Sequence, residues 1–528
     1  MSLSKTSAGE SALRARVFVP LIATLVLLGL GLALPVSALA LRASGAAGWQ
    51  AQNASSAGSQ AGLNDVTFVD ASHGWAVGQS IPAPGDWAPL ILATGDGGAT
   101  WHAQDASSAG SNAALISVSF VDVNHGWALG NNPGSDNSPI LATTDGGAIW
   151  NAVNTGDAGS TARLSSISFV DAEHGWAVGS SYDDVSGTLS PLVLATSDGG
   201  ATWHAQNADA AGGGDAELSS ITFADADHGW AVGQSSSASG AQSVIILATT
   251  NGGVIWKAEN AGSAGSNAGL SDVAFSDATH GWAVGSSYNP SQSGDSAFLI
   301  LATSDGGATW NVQSADSAGQ FPGRFSRLGS VSFVDAVHGW AVGSSEDAPS
   351  DFIVGTLVIL ATTDGGVTWN AQNASSGGRA GYLGSVSFID ANRGWVAGGN
   401  FNPATSRHSP VILATSNGGQ PTPKLTPTVT LKLSGLRSGA MRLGRRVTAK
   451  GQVTPTSLAG SQVKLTVQKK RSARWLKVKS TGRTISASGA YIWKYKPARR
   501  GAYRMRATIA KTATHTAATT KWRSFKVK

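Results

Sequence analysis

The sequence of 528 residues contains no cysteine, which excludes disulfide bonds, a thiol nucleophile and thiolate metal ligands. Charged residues are scarce, at 13% of the chain. Acidic residues are missing altogether from Pro421 to Lys528, a stretch that holds 26 Lys and Arg. From Ala43 to Gln420 the balance is reversed, with 7 Lys and Arg against 31 Asp and Glu. An acidic body followed by a basic region indicates two parts with different partners.

A long uncharged run occurs near the N-terminus, from Val17 to Leu41, after the cations Lys5, Arg14 and Arg16. It ends in the small-residue sequence SALA at 37–40, as a signal peptidase site requires. The run is also long enough to span a bilayer if it stays uncut. Residues 1–40 are therefore expected to be a signal peptide or an N-terminal membrane anchor. In either case we expect an exported protein, secreted or associated with the cell surface.

One block of sequence recurs seven times at a period of about 50–58 residues. Its first half reads Phe-x-Asp-x-x-His-Gly-Trp-Ala-Val-Gly, with Arg393 in place of histidine in the seventh copy. Its second half reads ILAT-x-DGG-x-x-W, and the closing tryptophan is absent from the seventh copy. The copies begin at Phe68, Phe120, Phe169, Phe223, Phe275, Phe333 and Phe388.

Each copy contains four short apolar or alternating runs separated by Asp/Gly-rich turns, the pattern of a four-stranded antiparallel sheet. Seven such sheets predict an all-β, seven-bladed β-propeller over residues 43–419. The stretch GWQAQN at 48–53 matches the fourth strand that the seventh copy lacks. It is predicted to close the last blade, because this pairing removes two exposed sheet edges.

The turn TSDGGATW at 196–203 and its copies resemble the Asp-box, or BNR repeat, of sialidase-like propellers. The whole unit, FxDxxxGWAVG followed by ILATTDGGxTW, resembles the Ycf48-type photosystem II assembly factors more closely. The resemblance covers roughly residues 49–419 and implies a propeller without fixing one function. Those factors are described as carrying an arginine patch, for which the acidic body of this chain has too few arginines.

The repeated polar residues are interpreted as structural. The Asp-box carboxylates are expected to accept hydrogen bonds within their own turns, a role that Asn251 and Asn417 can also fill. The recurring histidines are not expected to bind a metal, because the repeat spreads them around an axis and a metal needs ligands that converge on one point. No sialidase constellation of arginines with a Tyr–Glu pair is visible. We therefore assign no catalytic residue, metal ligand or cofactor. Glycosidase activity stays open, because the sequence does not exclude a pair of aspartates about 5 Å apart.

The variable loops face one end of the predicted propeller, and loops carry binding function more often than short scaffold turns do. Trp87 is the one tryptophan outside the repeat pattern in this region. Exposed aromatic and acidic residues there are candidate contacts to a sugar or a protein. The candidate ligand-binding residues are Trp87, Tyr182, Asp183, Asp184, Tyr288, Phe352 and Phe401.

The sequence GGQPTPKLTPT marks a Pro/Thr linker, with bounds at 420–428. Seven alternating runs follow over 429–528, which predicts a basic β-sandwich that resembles the Ig-like modules of bacterial surface proteins. Its densest basic stretch is QKKRSARWLKVK at 468–479. The candidate polyanion-binding residues are Lys469, Lys470, Arg471, Arg474, Lys477 and Lys479.

These patterns favour an exported, non-catalytic binding or scaffolding protein. Its propeller would dock a glycan or protein ligand, and its basic region would contact an anionic cell-wall polymer or membrane surface. Nucleic acid is the weaker partner for an exported chain. The alternative is a glycoside hydrolase of sialidase-like architecture.

Overall fold

The computed structural model describes residues 48–58, 60–83, 86–132, 138–156, 161–183, 185–208, 215–237, 240–289, 295–315, 325–346, 355–378, 381–402, 407–420, 426–512 and 515–528. The predicted leader at 1–40 and most of the predicted linker lie outside these ranges. Among the described residues, no helix is long and apolar enough to cross a membrane. Regular structure there is almost entirely β-strand, as the sequence predicts.

The strands of each copy of the repeat pair as a four-stranded antiparallel group. A single parallel pair, Ser296 with Phe325, joins the groups of the fifth and sixth copies into one larger sheet. The first strands are β2 (Ala61–Phe68), β6 (Ala114–Phe120), β10 (Ala162–Phe169), β14 (Asp215–Phe223), β18 (Ala268–Phe275), β22 (Phe325–Phe333) and β26 (Gly381–Phe388). The second strands are β3 (Gly74–Ala83), β7 (Gly126–Asn131), β11 (Gly175–Asp183), β15 (His228–Ser236), β19 (Gly281–Asn289), β23 (Gly339–Glu346) and β27 (Gly394–Asn402).

The fourth strand of each group is short, at two or three residues. The third strands are β4 (Asp86–Thr94), β8 (Ile140–Thr143), β12 (Thr188–Thr196), β16 (Gln242–Thr250), β20 (Asp295–Thr303), β24 (Thr356–Thr362) and β28 (Arg407–Thr415). The fourth strands are β5 (His102–Gln104), β9 (Asn151–Val153), β13 (His204–Gln206), β17 (Lys257–Ala258), β21 (Asn311–Val312), β25 (Asn370–Ala371) and, from the N-terminal end, β1 (Gln50–Ala51). Single 3-10 turns occur at Ser55–Ala57, Ser107–Ala109, Gly262–Ala264 and Ser375–Gly377.

Aromatic rings join each repeat to the one before it. The phenylalanine that ends each first strand stacks on the second-strand tryptophan of the preceding repeat, as Phe120 does on Trp75 with ring centres 3.5 Å apart. The same ring meets the fourth-strand tryptophan of its own repeat edge-on, at 5.8 Å for Phe120 and Trp150. Because each aromatic pair contributes about 0.5–1.5 kcal/mol beyond its buried area, these contacts stabilise the packing of each repeat on the next.

The ring closes on itself through the same contacts. Phe68 of the first repeat stacks on Trp395 of the seventh at 3.5 Å. The first strands touch their neighbours all the way round, including β2 against β26. The repeat region is therefore a β-propeller, with the first strands innermost and the short fourth strands at the rim.

The predicted pairing of the N-terminal strand with the last repeat is present. Gln50 pairs with Ala414 and Ala51 pairs with Leu413, antiparallel to β28. Trp49 just before them is fully buried, and its indole N–H donates to Gln372 Oε1 at 2.6 Å. One sheet is thus assembled from the two ends of the propeller sequence.

The basic C-terminal region forms two sheets. The smaller holds β29 (Thr428–Val429), β30 (Lys432–Ser434), β32 (Val447–Thr454) and β35 (Ala490–Tyr495), and the larger holds β31 (Ala440–Met441), β33 (Gln462–Arg471), β34 (Arg474–Thr484), β36 (Gly501–Ile509), β37 (Ala518–Thr519) and β38 (Arg523–Val527). A 3-10 turn spans Thr456–Leu458. Alternate residues of both sheets meet in one apolar core, including Val447, Leu465, Tyr491 and Met505. The Ig-like class of this region stays a prediction.

Candidate functional site

The short turns between first and second strands are closed by a side-chain pair inside each repeat. The Asp70 carboxylate accepts from the backbone N–H of Ser72 and His73 and lies 2.8 Å from His73 Nδ1. Hydrogen bonds from His73 and Ser72 lower the Asp70 pKa to about 2. The same Asp–His pair recurs in six repeats, and Arg393 pairs with Asp390 in the seventh. Each histidine therefore has a structural partner within three residues.

The Asp-box turns between third and fourth strands are built in the same self-contained way. Asp96 accepts hydrogen bonds from Thr94 Oγ1 and from the backbone N–H and hydroxyl of Thr100. Asn251 accepts equivalent bonds with its amide oxygen in the fourth repeat. No group of three potential metal ligands occurs in the described part of the chain. The side chains of these turns are thus engaged in hydrogen bonds within their own repeats.

A belt of polar side chains links the innermost strands, and sequence reasoning missed it. It lies at the β-bulge that interrupts every first strand. Most members accept a hydrogen bond from a backbone N–H of an adjacent repeat, as Ser117 does from Ile167 at 3.3 Å. The belt positions are Asp65, Ser117, Ser166, Ser220, Asp272, Ser330 and Ser385.

The two carboxylates of this belt are half-buried. Asp65 accepts from Ser385 Oγ at 2.6 Å and from the Val118 N–H at 2.7 Å. Burial raises the Asp65 pKa from 3.8 to about 6 in spite of these hydrogen bonds, and the charge of Asp272 adds to the rise. Burial raises the pKa of Asp272 as well. Their hydrogen bonds tie repeats together, so we assign the belt a structural role.

A pocket of about 420 Å³ opens at the variable-loop end of the propeller, where repeats six, seven and one meet. Its walls are mostly apolar, with two basic side chains and one phenol among them. Burial raises the pKa of the Tyr382 hydroxyl, while the nearby positive charge of Arg327 opposes that rise. The pocket is lined by Ala61, Gly62, Gln79, Ile81, Trp87, Arg327, Tyr382 and His408.

Of the predicted ligand-binding residues, Trp87 lies in this pocket and is 40% exposed. Phe401 packs against the pocket residue His408, with ring centres 5.1 Å apart. Tyr182 and Tyr288 are exposed but stand at the same position as Phe401 in the third and fifth repeats, so rotation about the axis separates them. Asp183 accepts a hydrogen bond from Val185 N–H within its own hairpin.

Asp184 and Phe352, two further predicted contacts, lie outside the described residues. The pocket residues that sequence reasoning did not select are Arg327, Tyr382 and His408. Tyr382 and Arg327 occupy equivalent first-strand positions, one residue before a buried leucine, where the first repeat has Gly62. Aligning the seven copies by this leucine would have shown bulky and charged residues at the inner end of neighbouring strands.

The six predicted polyanion contacts divide between the two faces of the β33–β34 hairpin. Lys470 pairs with Trp475 and Lys477 with Gln468, whereas Lys469 pairs with the core residue Tyr503 and Lys479 with the core residue Val467. Paired residues share a face and consecutive residues alternate, so Lys470 and Lys477 point away from the core. Arg471 and Arg474 pair with each other at the hairpin tip.

Comparison with known proteins agrees with this architecture. Residues 43–158 and 157–264 match the family model described as Photosynthesis system II assembly factor YCF48. No curated protein matches the chain. The repeats, their Asp-box turns and the closed ring identify a BNR-type β-propeller.

Two solved structures are similar at low sequence identity. The Hadza microbial sialidase Hz136 is 11% identical, with a TM-score of 0.40 over 63% of this chain and 73% of that one. Prolyl oligopeptidase B from Galerina marginata is 9% identical, with a TM-score of 0.38 over 77% of this chain and 57% of that one. These likenesses are too distant to bear on activity.

Proposed function

We propose that this chain is an exported, non-catalytic binding protein. Its propeller docks a sugar-sized ligand in the pocket beside Trp87, and its basic C-terminal region contacts an anionic surface. The match to an assembly-factor family supports a binding role over a catalytic one. The opposite charges of the two parts support separate partners for each.

The observation that carries the proposal is the combination of residues in the pocket. A half-exposed indole offers a flat apolar face to a ring-shaped ligand. Arg327 supplies positive charge and hydrogen-bond donors within the same cavity, and His408 adds an imidazole ring, in a propeller that is otherwise acidic. A cavity of about 420 Å³ is of the size that takes a small molecule or one or two sugar units.

The composition of the pocket disfavours the alternative of a glycoside hydrolase. Hydrolysis of this kind uses two carboxyl groups flanking the scissile bond. The described lining of the pocket contains no Asp or Glu. The carboxylates Asp65 and Asp272 belong to the hydrogen-bonded belt, where their oxygens are occupied by neighbouring repeats.

The proposal is tested by screening the intact protein on a glycan array and then titrating the strongest ligand. Trp87→Ala should weaken binding about tenfold or more, because truncating an aromatic anchor of a binding site costs about 2 kcal/mol. Tyr288→Ala is the matched control, since that ring is similarly exposed but lies outside the pocket. Equal affinities for wild type and Trp87→Ala would refute the pocket assignment.

A further inference from the structure

Two arginines and two tryptophans form an alternating stack on the larger C-terminal sheet. The Arg504 guanidinium carbon lies 4.5 Å from the centre of the Trp475 ring and 4.4 Å from that of Trp522. The Arg506 guanidinium carbon lies 4.7 Å from the same Trp522 ring centre. We call Trp475, Arg504, Trp522 and Arg506 the Trp–Arg ladder. It joins β34, β36 and the residue before β38, so only the folded sheet brings these side chains together.

The ladder lies on the face of the sheet that points away from the core. Arg504 and Arg506 alternate along β36 with the buried residues Tyr503 and Met505. Lys470 and Lys477, from the predicted basic stretch, share this face through their pairing with Trp475 and Gln468. Four cations therefore stand together on one outer surface.

Stacking leaves the N–H edges of the guanidinium groups as the part of the ladder that can bind a ligand. Indole rings cover the flat faces and fix the plane of each guanidinium, which is then preorganised to donate through its N–H edge. Arg504 donates from Nε to Gln468 Oε1 at 2.8 Å. The Nε of Arg506 is buried and has no hydrogen-bond partner within the described residues. Because residues 421–528 contain no Asp or Glu, this region cannot supply a side-chain counter-ion.

The geometry points to the Trp–Arg ladder as a binding site for a carboxylate-bearing polysaccharide, an inference that rests on the proposed role of the C-terminal region. A planar carboxylate matches the fixed guanidinium fork and can bind it through two parallel hydrogen bonds. The half-buried Trp475 ring, which has a single guanidinium neighbour in the ladder, provides apolar surface for the C–H face of a sugar ring beside that contact. The acidic propeller of a second copy of this chain would also be complementary in charge to the ladder. Its turn carboxylates, however, already accept hydrogen bonds within their own turns.

The test is titration of the intact protein with an oligogalacturonate and with its methyl ester, which is neutral. The acid should bind and the ester should not. Arg504→Gln/Arg506→Gln should lower affinity at least about tenfold, because both variants lose charge-assisted hydrogen bonds to the carboxylate. Arg442→Gln/Arg445→Gln removes the same charge from exposed positions off the ladder, and should bind within about twofold of wild type. Arg504→Lys/Arg506→Lys should not restore binding, because lysine lacks the planar fork.

Several outcomes overturn the inference. Equal losses of affinity in the ladder variant and the control variant would show that overall charge alone drives binding. Full binding by the lysine variant would show that the guanidinium group is not needed. Tighter binding to single-stranded DNA or to anionic lipid vesicles would assign the face to those partners. If wild type binds none of these probes, the proposed anionic contact of the C-terminal region fails as well. Should the arginine variants unfold, Lys470→Gln/Lys477→Gln leaves the stack intact and should still weaken binding to the acid.

Discussion

At the scale of single residues, aspartates with different surroundings make opposite contributions to stability. The turn carboxylates have lowered pKa values because they accept hydrogen bonds from their own turns, as Asp70, Asp198 and Asp305 do. Their stabilisation is present above the unfolded pKa near 4 and is lost as the pH falls toward about 2. Asp65 behaves in the reverse manner, because burial raises its pKa to about 6.

We predict that Asp65 makes the propeller less stable as the pH rises from about 4 to 6. In this window the folded protein keeps the proton that the unfolded chain releases, so each step upward in pH favours unfolding. Asp65→Ser, which copies the residue found in five other repeats, should make this slope shallower when melting temperature is measured from pH 4.5 to 7.5. Part of the slope should remain, because burial raises the pKa of Asp272 as well. Asp105→Ser is the control, since that carboxyl is exposed and has a lowered pKa. Parallel curves for Asp65→Ser and wild type would count against the assignment.

At the scale of the strand, a glutamine in the fourth strand links neighbouring repeats. Trp150 and Trp256 donate from Nε1 to Gln104 and Gln206 of the preceding repeat, at 3.0 and 3.1 Å. Val153 stands at the equivalent position before Trp203, whose Nε1 is buried with no partner in the described structure. Trp101, Trp310 and Trp369 also lack a partner there, although Gln52, Glu259 and Gln313 stand before them.

Val153→Gln should therefore stabilise the propeller by about 1 kcal/mol, because it supplies an acceptor to a buried donor. Denaturant unfolding of the intact chain measures the change. Val153→Leu has similar bulk but no acceptor, and is expected to leave the stability unchanged or lower. A glutamine variant no more stable than the leucine variant would show that the link contributes nothing here.

The repeats explain why so much of the propeller could be predicted. Strand positions, turn roles and the closing strand at Gln50 all follow from a motif that recurs in register. The belt and the pocket could not be predicted in the same way, because they depend on differences between copies. Asp65 replaces the serine that five repeats have at the belt position, and Tyr382 occupies a position whose residue varies from repeat to repeat. Their neighbours include residues from repeats distant in sequence. The Trp–Arg ladder likewise joins residues 475, 504 and 522, which no local pattern connects.

At the scale of the whole molecule, the stability of the ring depends on the short strand β1. We predict that a chain beginning at Gly48 keeps the full stability of the propeller, whereas one beginning at Ala54 loses several kcal/mol. Removal of a buried tryptophan alone costs about 3–5 kcal/mol, and Trp49 also contacts Phe388 edge-on at 5.8 Å. Calorimetric unfolding of the two truncations makes the comparison. Identical melting temperatures would refute a closing role for β1.

The closing strand also has a mechanical consequence. Gly48 and Gly419 lie in contact, so close that a Cβ on Gly48 would stand 2.2 Å from the Gly419 carbonyl oxygen. The chain thus enters and leaves the propeller at one point. A pulling force applied between the N-terminal segment and the C-terminal region would load the few bonds between β1 and β28 and leave the other repeats unstrained. The first response of the propeller to such tension would be the release of the single strand β1 from β28.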